Sequence, residues 1–119
     1  MSDVRLKRAY ETPVSDDGLR VLVDRLWPRG LSREKARVDL WLKEVAPSDA
    51  LRRWFNHDPK KWPEFKRRYR AELAAHSEPL AQLRRLARDN ARLTLLFSAR
   101  DPNHNNAVVL CRVLDQNRP

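Results

Sequence analysis

Two short segments of this chain are apolar on both faces, and that narrows the folds open to it more than any other feature. In 19–24 (LRVLVD), Leu19, Val21 and Val23 fall on one face and Leu22 on the other. In 93–98 (LTLLFS), Leu93, Leu95 and Phe97 oppose Leu96. A half-exposed strand needs cover on one side only, whereas these need it on both, as in the middle of a parallel α/β sheet. Each then runs into a polar turn, VLVDRLWPRG over 21–30 and LLFSARDPNHNN over 95–106. Ligands of open parallel sheets bind just outside the carboxyl ends of the strands. The two turns therefore mark one expected rim.

The remaining segments fit around these strands. Val4, Leu6 and Tyr10 alternate with Arg5 and Lys7, the pattern of a half-exposed edge strand, and 11–18 (ETPVSDDG) reads as a turn. Pro28 and Gly30 end the first central strand, and Ser32 is placed to cap a short turn over 33–36. Val38, Leu40 and Leu42 alternate with Asp39, Trp41 and Lys43, which predicts a third strand, with a helix as the alternative. Ser48 is a good cap for a helix over 49–55, with Asp49 complementing its dipole. Pro59 or Pro63 opens the next helix, where Phe65, Tyr69 and Leu73 recur at helical spacing as a core face. A further helix starts at Ser77–Pro79 and turns Leu80, Leu83 and Ala87 inward, with Asn90 as terminator. The last runs from about His104 to Leu114, with Ala107, Leu110, Cys111 and Leu114 as its buried stripe. The expected architecture is a single small α/β domain over 1–119, with a short, mainly parallel sheet flanked by helices.

Composition excludes several classes. With only two glycines, Gly18 and Gly30, the chain can hold neither a P-loop nor a dinucleotide-binding GxGxxG turn. One cysteine, Cys111, rules out an internal disulfide framework and a cysteine-rich zinc site. His57, His76 and His104 lack metal-ligand spacing, so no metal or cofactor is expected. The amino terminus has no apolar signal core, and no apolar run approaches the roughly 20 residues of a membrane span. The expectation is a cytoplasmic protein with no membrane partner. A net charge of +9 attracts phosphate in any form. The positive residues are spread over helical faces rather than gathered in a tail, which keeps nucleic acid as the alternative partner and not the leading one.

The rim carries the chemistry. The first turn supplies Asp24, Arg25, Trp27 and Arg29, and the second supplies Ser98, Arg100, Asp101, His104 and Asn105. Arginine gives two-pronged recognition of phosphate or carboxylate, and the N–H groups opening the last helix point a positive dipole end at the same place. The leading expectation is an anionic small molecule, phosphate-bearing or nucleotide-like, held by Arg25 and Arg100 with Arg29 beside them. Catalysis there would be hydrolysis or group transfer, with His104 as acid or base and Asp24 orienting an Arg or His. Trp27 would form a wall, and Asn105 would donate a hydrogen bond. The bland counterparts are an Asp24–Arg25 ion pair locking a turn and an Asn105 that only caps a helix. Ser98 lacks the GxSxG elbow of a nucleophile, so a hydroxyl bonded to backbone is the simpler reading. The alternative function is a non-catalytic nucleic-acid-binding or regulatory module using the basic helical faces.

These same residues resemble the domain-of-unknown-function 488 (DUF488) family in its YeaO-like branch. The matching stretches are RVLVDRLWPRGL (20–31), DLWLKEVAPSDALRRWFNHDPKKWPEFKRRYRAEL (39–73) and LTLLFSARDPNHNNAVVL (93–110). The resemblance implies a compact bacterial-type α/β protein and brings no established activity. More distant members resemble one another in an Asp-Val-Arg motif in the first stretch and in Cys/Glu and Cys-His-Arg motifs in the last. Asp24 and Arg25 match the former and His104 the histidine of the latter. Phe97 and Ser98 stand where a cysteine is expected, Asn103 precedes His104 and Asn105 replaces the arginine. The resemblance thus implies no thiol chemistry here, and leaves a rim of Arg, Asp, His and Asn.

Overall fold

The sheet is built in the order β1-β4-β2-β3 and every neighbouring pair is parallel. It comes from a computed structural model that describes residues 3–116, so Met1, Ser2 and residues 117–119 of the expected domain lie outside the described residues. The strands are β1 (Asp3–Arg8), β2 (Leu19–Leu22), β3 (Leu40–Trp41) and β4 (Arg92–Phe97). The helices are α1 (Arg33–Ala36), α2 (Asp49–Phe55), α3 (Trp62–Ala75), α4 (Ser77–Asp89) and α5 (Asn106–Gln116). The two segments apolar on both faces, β2 and β4, are the two central strands, and β1 is an edge. The fold is α/β, as the patterning requires.

Each face of the sheet has its own cover. Val21, Val23, Leu93, Leu95 and Phe97 meet Tyr69 and Phe65 of α3, Leu83 of α4 and Leu110 of α5 in the main core. Leu22 and Leu96 emerge on the other face with Ala9, where Trp27, Leu31, Val38 and Trp41 lie over them. That second cover is the segment 25–38 and its short α1 rather than a long helix. Ser32 caps α1 by accepting the Lys35 N–H, and Ser48 caps α2 by accepting the Leu51 N–H.

The structure departs from the periodicity reading at two boundaries. The strand expected over 38–43 shrinks to two residues, because only Leu40 and Trp41 pair with Val21 and Leu22 before the chain turns at Lys43–Val45. Trp41 leaves the edge to donate its indole N–H to the Asp24 carbonyl at 2.8 Å. The last helix begins at Asn106 instead of near His104, since Asn105 caps it through an Oδ1 that accepts the Val108 N–H at 3.1 Å.

The amino ends of the strands are tied by a buried ionic knot. Asp17 accepts from Arg20 at 2.6 Å and from Lys7 at 3.0 Å, and Arg20 also donates to the Ala36 and Arg37 carbonyls. Gly18 next to it has φ +65°, and a Cβ there would run into the Arg92 carbonyl oxygen, so the position admits only glycine. The carboxyl end carries the larger opening.

Candidate functional site

Beyond the carboxyl ends of β2 and β4 lies a cavity of about 820 Å³, within the range of small-molecule sites. The loop after β2 contributes Asp24, Arg25, Trp27 and Arg29; the loop after β4 contributes Ser98 and Ala99. Asn105 and Asn106 bring in the first turn of α5, whose N–H groups carry a partial positive charge. The far wall comes from α2 and the turn that ends it: Arg52, Arg53, Phe55, Asn56 and His57. Tyr10, Pro47 and Phe65 complete it.

Asp24 forms the floor. Its Oδ2 accepts the Ser98 N–H and the Ser98 hydroxyl, each at 2.8 Å, which ties the loops after the two central strands together. Asn106 also donates toward this carboxylate and to the Val23 carbonyl at 2.9 Å. Burial pushes the Asp24 carboxyl above its ordinary range; the Ser98 and Asn106 hydrogen bonds and the nearby His57 only partly offset that. Asp24 and Arg25 do not pair, because the guanidinium is turned away to the Pro47 and Ala46 carbonyls, at 3.0 and 3.3 Å. Arg25 is a strap between the β2 end and the approach to α2 that also borders the cavity.

Most of the other expected residues stay at the rim, held by partners of their own. Trp27 borders the cavity, donates its indole N–H to the Leu31 carbonyl at 2.6 Å and meets the Trp41 ring edge-on at 5.5 Å. The Arg33 guanidinium lies 4.6 Å from the centre of its ring. Arg29 is exposed at the mouth, and its carbonyl accepts the Tyr10 hydroxyl at 2.8 Å. The Ser98 and Ala99 carbonyls are held by the Arg8 guanidinium, at 3.1 and 3.0 Å. Asn105 is buried and both ends of its amide are used, one on the Val108 N–H and the other on the Asp101 carbonyl.

Arg100 and His104 are not among the residues lining the cavity. His104 Nδ1 is 2.8 Å from Asp101 Oδ2, and the ring stands edge-on to Trp62 at 5.2 Å. The Asp101 carboxyl is held below its ordinary range by the Asn103 N–H and then by His104. The start of α5 at Asn106 leaves His104 in the preceding turn, and that turns its ring toward α3.

Sequence reading missed the wall from α2. Arg52, Arg53, Asn56 and His57 reach the cavity only because α2 packs across the strand ends. The one local trace was Asn56, a residue type that readily ends a helix in the left-handed conformation. It does so here, with φ 47° and ψ 42°.

The sequence profile described as the inactive DUF488-N3 subclade matches residues 3–118. The chain belongs to that family. Uncharacterised relatives include the protein Rv3073c of Mycobacterium tuberculosis H37Rv, 43% identical over 112 residues that cover 94% of this chain and 93% of the relative. YeaO of Escherichia coli K12 is 40% identical over 108 residues, covering 91% and 93%. No solved structure gives a significant match. In this DUF488-N3 protein the strand end that would present a thiol carries Phe97 and Ser98. The single cysteine, Cys111, lies along α5 with its sulfur 4.0 Å from the Val4 carbonyl oxygen. No helix of the described residues is long and apolar enough to cross a membrane.

Proposed function

We propose that this protein binds an anionic small molecule, phosphate-bearing or nucleotide-like, in the cavity at the strand ends, and that it acts as a binder. One observation carries the reading. Four arginines, Arg25, Arg29, Arg52 and Arg53, line a cavity whose lining includes a single carboxylate, Asp24; Arg25 is spent on the Pro47 and Ala46 carbonyls and Arg52 pairs with Asp49. Arg29 and Arg53 make no ion pair or side-chain hydrogen bond with another described residue, so their charge is available to a ligand. Guanidiniums with unspent donors, facing a helix amino end, are what a phosphate needs. The aromatic side chains of Tyr10 and Trp27 give a nucleoside or other flat body a wall.

Binding is favoured over turnover by the same geometry. The Ser98 hydroxyl is committed to Asp24, the resident cysteine lies elsewhere, and His104 is paired with Asp101 outside the lining. The description of the subclade as inactive agrees with this.

The nucleic-acid alternative needs free cations on the helical faces. There, Arg67 and Arg68 share Glu64, Arg85 holds Glu78 and Arg88 holds Asp89. Local pairing lowers the positive potential of α3 and α4, and it takes Arg52 in the cavity lining as well, but Arg29 and Arg53 there are left unpaired.

A thermal-shift screen of nucleotides and phosphorylated metabolites tests the proposal. A true ligand at about 100 times its dissociation constant adds about 2.7 kcal/mol of stability. The shift should be lost in Arg29→Ala and Arg53→Ala and kept in Arg85→Ala. A panel with no stabilising anion, or a shift that depends on Arg85 instead, rejects it.

A further inference from the structure

The backbone of the turn after α2 is unusual in a way that the fold alone does not explain. Asn56 and His57 are consecutive residues with positive φ, 47° and 56°. Asn56 is an ordinary helix terminator of the left-handed type, its N–H returning to the Arg52 carbonyl at 3.1 Å. His57 is different. A left-handed conformation is unfavourable for a residue with a Cβ, and glycine avoids that cost. The chain nevertheless places a histidine there.

The surroundings hold the turn firmly. Phe55 on one side stacks on Phe65 with ring centres 4.3 Å apart, and the Asp58 N–H closes back onto the Phe55 carbonyl at 3.0 Å. On the other side Asp58 accepts the Lys60 N–H at 3.0 Å, and the ring of Pro59 stiffens the backbone leading into α3. The His57 side chain takes no part in this. It is exposed, and among the described residues it makes no hydrogen bond and no ring contact. Packing and capping therefore give no reason for an imidazole at this position. It does border the strand-end cavity, whose lining also includes Arg53 and Asp24. Strained residues held by rigid neighbours cluster at ligand sites.

We propose that His57 is a ligand-contacting residue of this cavity, whose ring donates an N–H to the bound anion beside the Arg53 guanidinium. This rests on the anion reading of the cavity. The left-handed backbone is what aims the ring, and the ligand contact is why the position is not glycine.

The test uses the full chain, with melting temperature and calorimetric titration of adenosine 5′-monophosphate as readouts. Wild type should bind the probe. His57→Gly should melt at the same or a higher temperature, since strain is relieved, and bind about tenfold more weakly for the loss of one charge-assisted hydrogen bond. His57→Asn, which also tolerates the left-handed region, should bind as weakly as His57→Gly while keeping the fold. Arg53→Ala should weaken binding without lowering the melting temperature. Undiminished affinity in His57→Gly alongside weakened binding in Arg53→Ala overturns the role of His57 and leaves the anion reading standing. A clear fall in the melting temperature of both His57 variants also overturns it, because the histidine is then structural. No binding by wild type, or binding indifferent to Arg53 as well, overturns both.

Discussion

One oxygen of Asp24 accepts both the backbone N–H and the hydroxyl of Ser98, each at 2.8 Å, and so joins the ends of two strands that are 74 residues apart in the chain. Removing the hydroxyl in Ser98→Ala should cost about 1.5–3 kcal/mol, as expected for a hydrogen bond to a charged acceptor. The effect should also be pH-dependent. Burial raises the folded-state pKa of Asp24, so its contribution to stability is fully present below the unfolded value of about 3.9 and is lost as pH rises through the folded value. Ser98→Ala takes away a group that opposes the rise, and its loss of stability should extend to higher pH than in wild type. Asp24→Asn should remove that slope. Melting curves collected across the acid range check both, and parallel pH profiles for all three proteins count against the assignment.

Asp17 at the opposite end of the sheet should behave with the opposite sign. Burial pushes its carboxyl up, but the Val14 N–H, Lys7 and Arg20 outweigh that and leave it lowered. Its stabilisation is therefore present above about pH 3.9 and lost as pH falls through the folded value. Arg20→Ala removes the closest partner of a buried carboxylate that Lys7 and the Val14 N–H still hold, and should cost about 2–3 kcal/mol in denaturant unfolding near neutral pH. A cost below about 1 kcal/mol would mean the knot is no stronger than a surface pair.

Arg25 and Arg29 are neighbours in sequence with different work. Arg25→Ala removes two charge-assisted hydrogen bonds to the Pro47 and Ala46 carbonyls, and should lose about 1.5–3 kcal/mol of stability. Lysine should restore little of it, since an ammonium cannot reproduce the planar fork. Arg29→Ala, at an exposed position, should stay within about 0.5 kcal/mol of wild type. Equal stability of the two alanine variants in guanidinium melts would show that Arg25 is not a strap.

Trp27→Ala should destabilise by about 3 kcal/mol, the lower end for losing a large aromatic, because the ring is only partly buried. The contact with Trp41, the bond to the Leu31 carbonyl and the cation over its face are lost together. Trp27→Phe keeps the contact with Trp41 and loses the bond, so it should fall between. A phenylalanine variant no better than alanine would contradict the packing role.

Attraction to nucleic acid should be weak and should vanish near the physiological ionic strength of about 0.15 M. Fluorescence anisotropy of a labelled single-stranded oligonucleotide, titrated with salt, measures it. Sequence-dependent binding that survives that salt would favour the helical faces over the cavity.

Local patterning made much of this protein legible in the sequence. Two strands apolar on both faces had to be central, the alternation of Val21 and Val23 against Leu22 assigned their sides, and Ser32 and Ser48 announced helix starts. The same polar turns located the rim, and the matching stretches identified the family. All of these depend on residues a few positions apart, where spacing alone fixes geometry. Which side chains enter the cavity depends instead on what stands across from them. Arg25 turned to two carbonyls before α2, His104 turned to Asp101 and Trp62, and the far wall came from Arg53 and His57, about 30 residues beyond the first rim turn. A guanidinium or an imidazole goes to the partners that packing brings within reach. Those partners exist only once α2 and α3 have closed over the sheet, so the sequence by itself determined which strand ends border the cavity, and the tertiary structure decided which other residues line it.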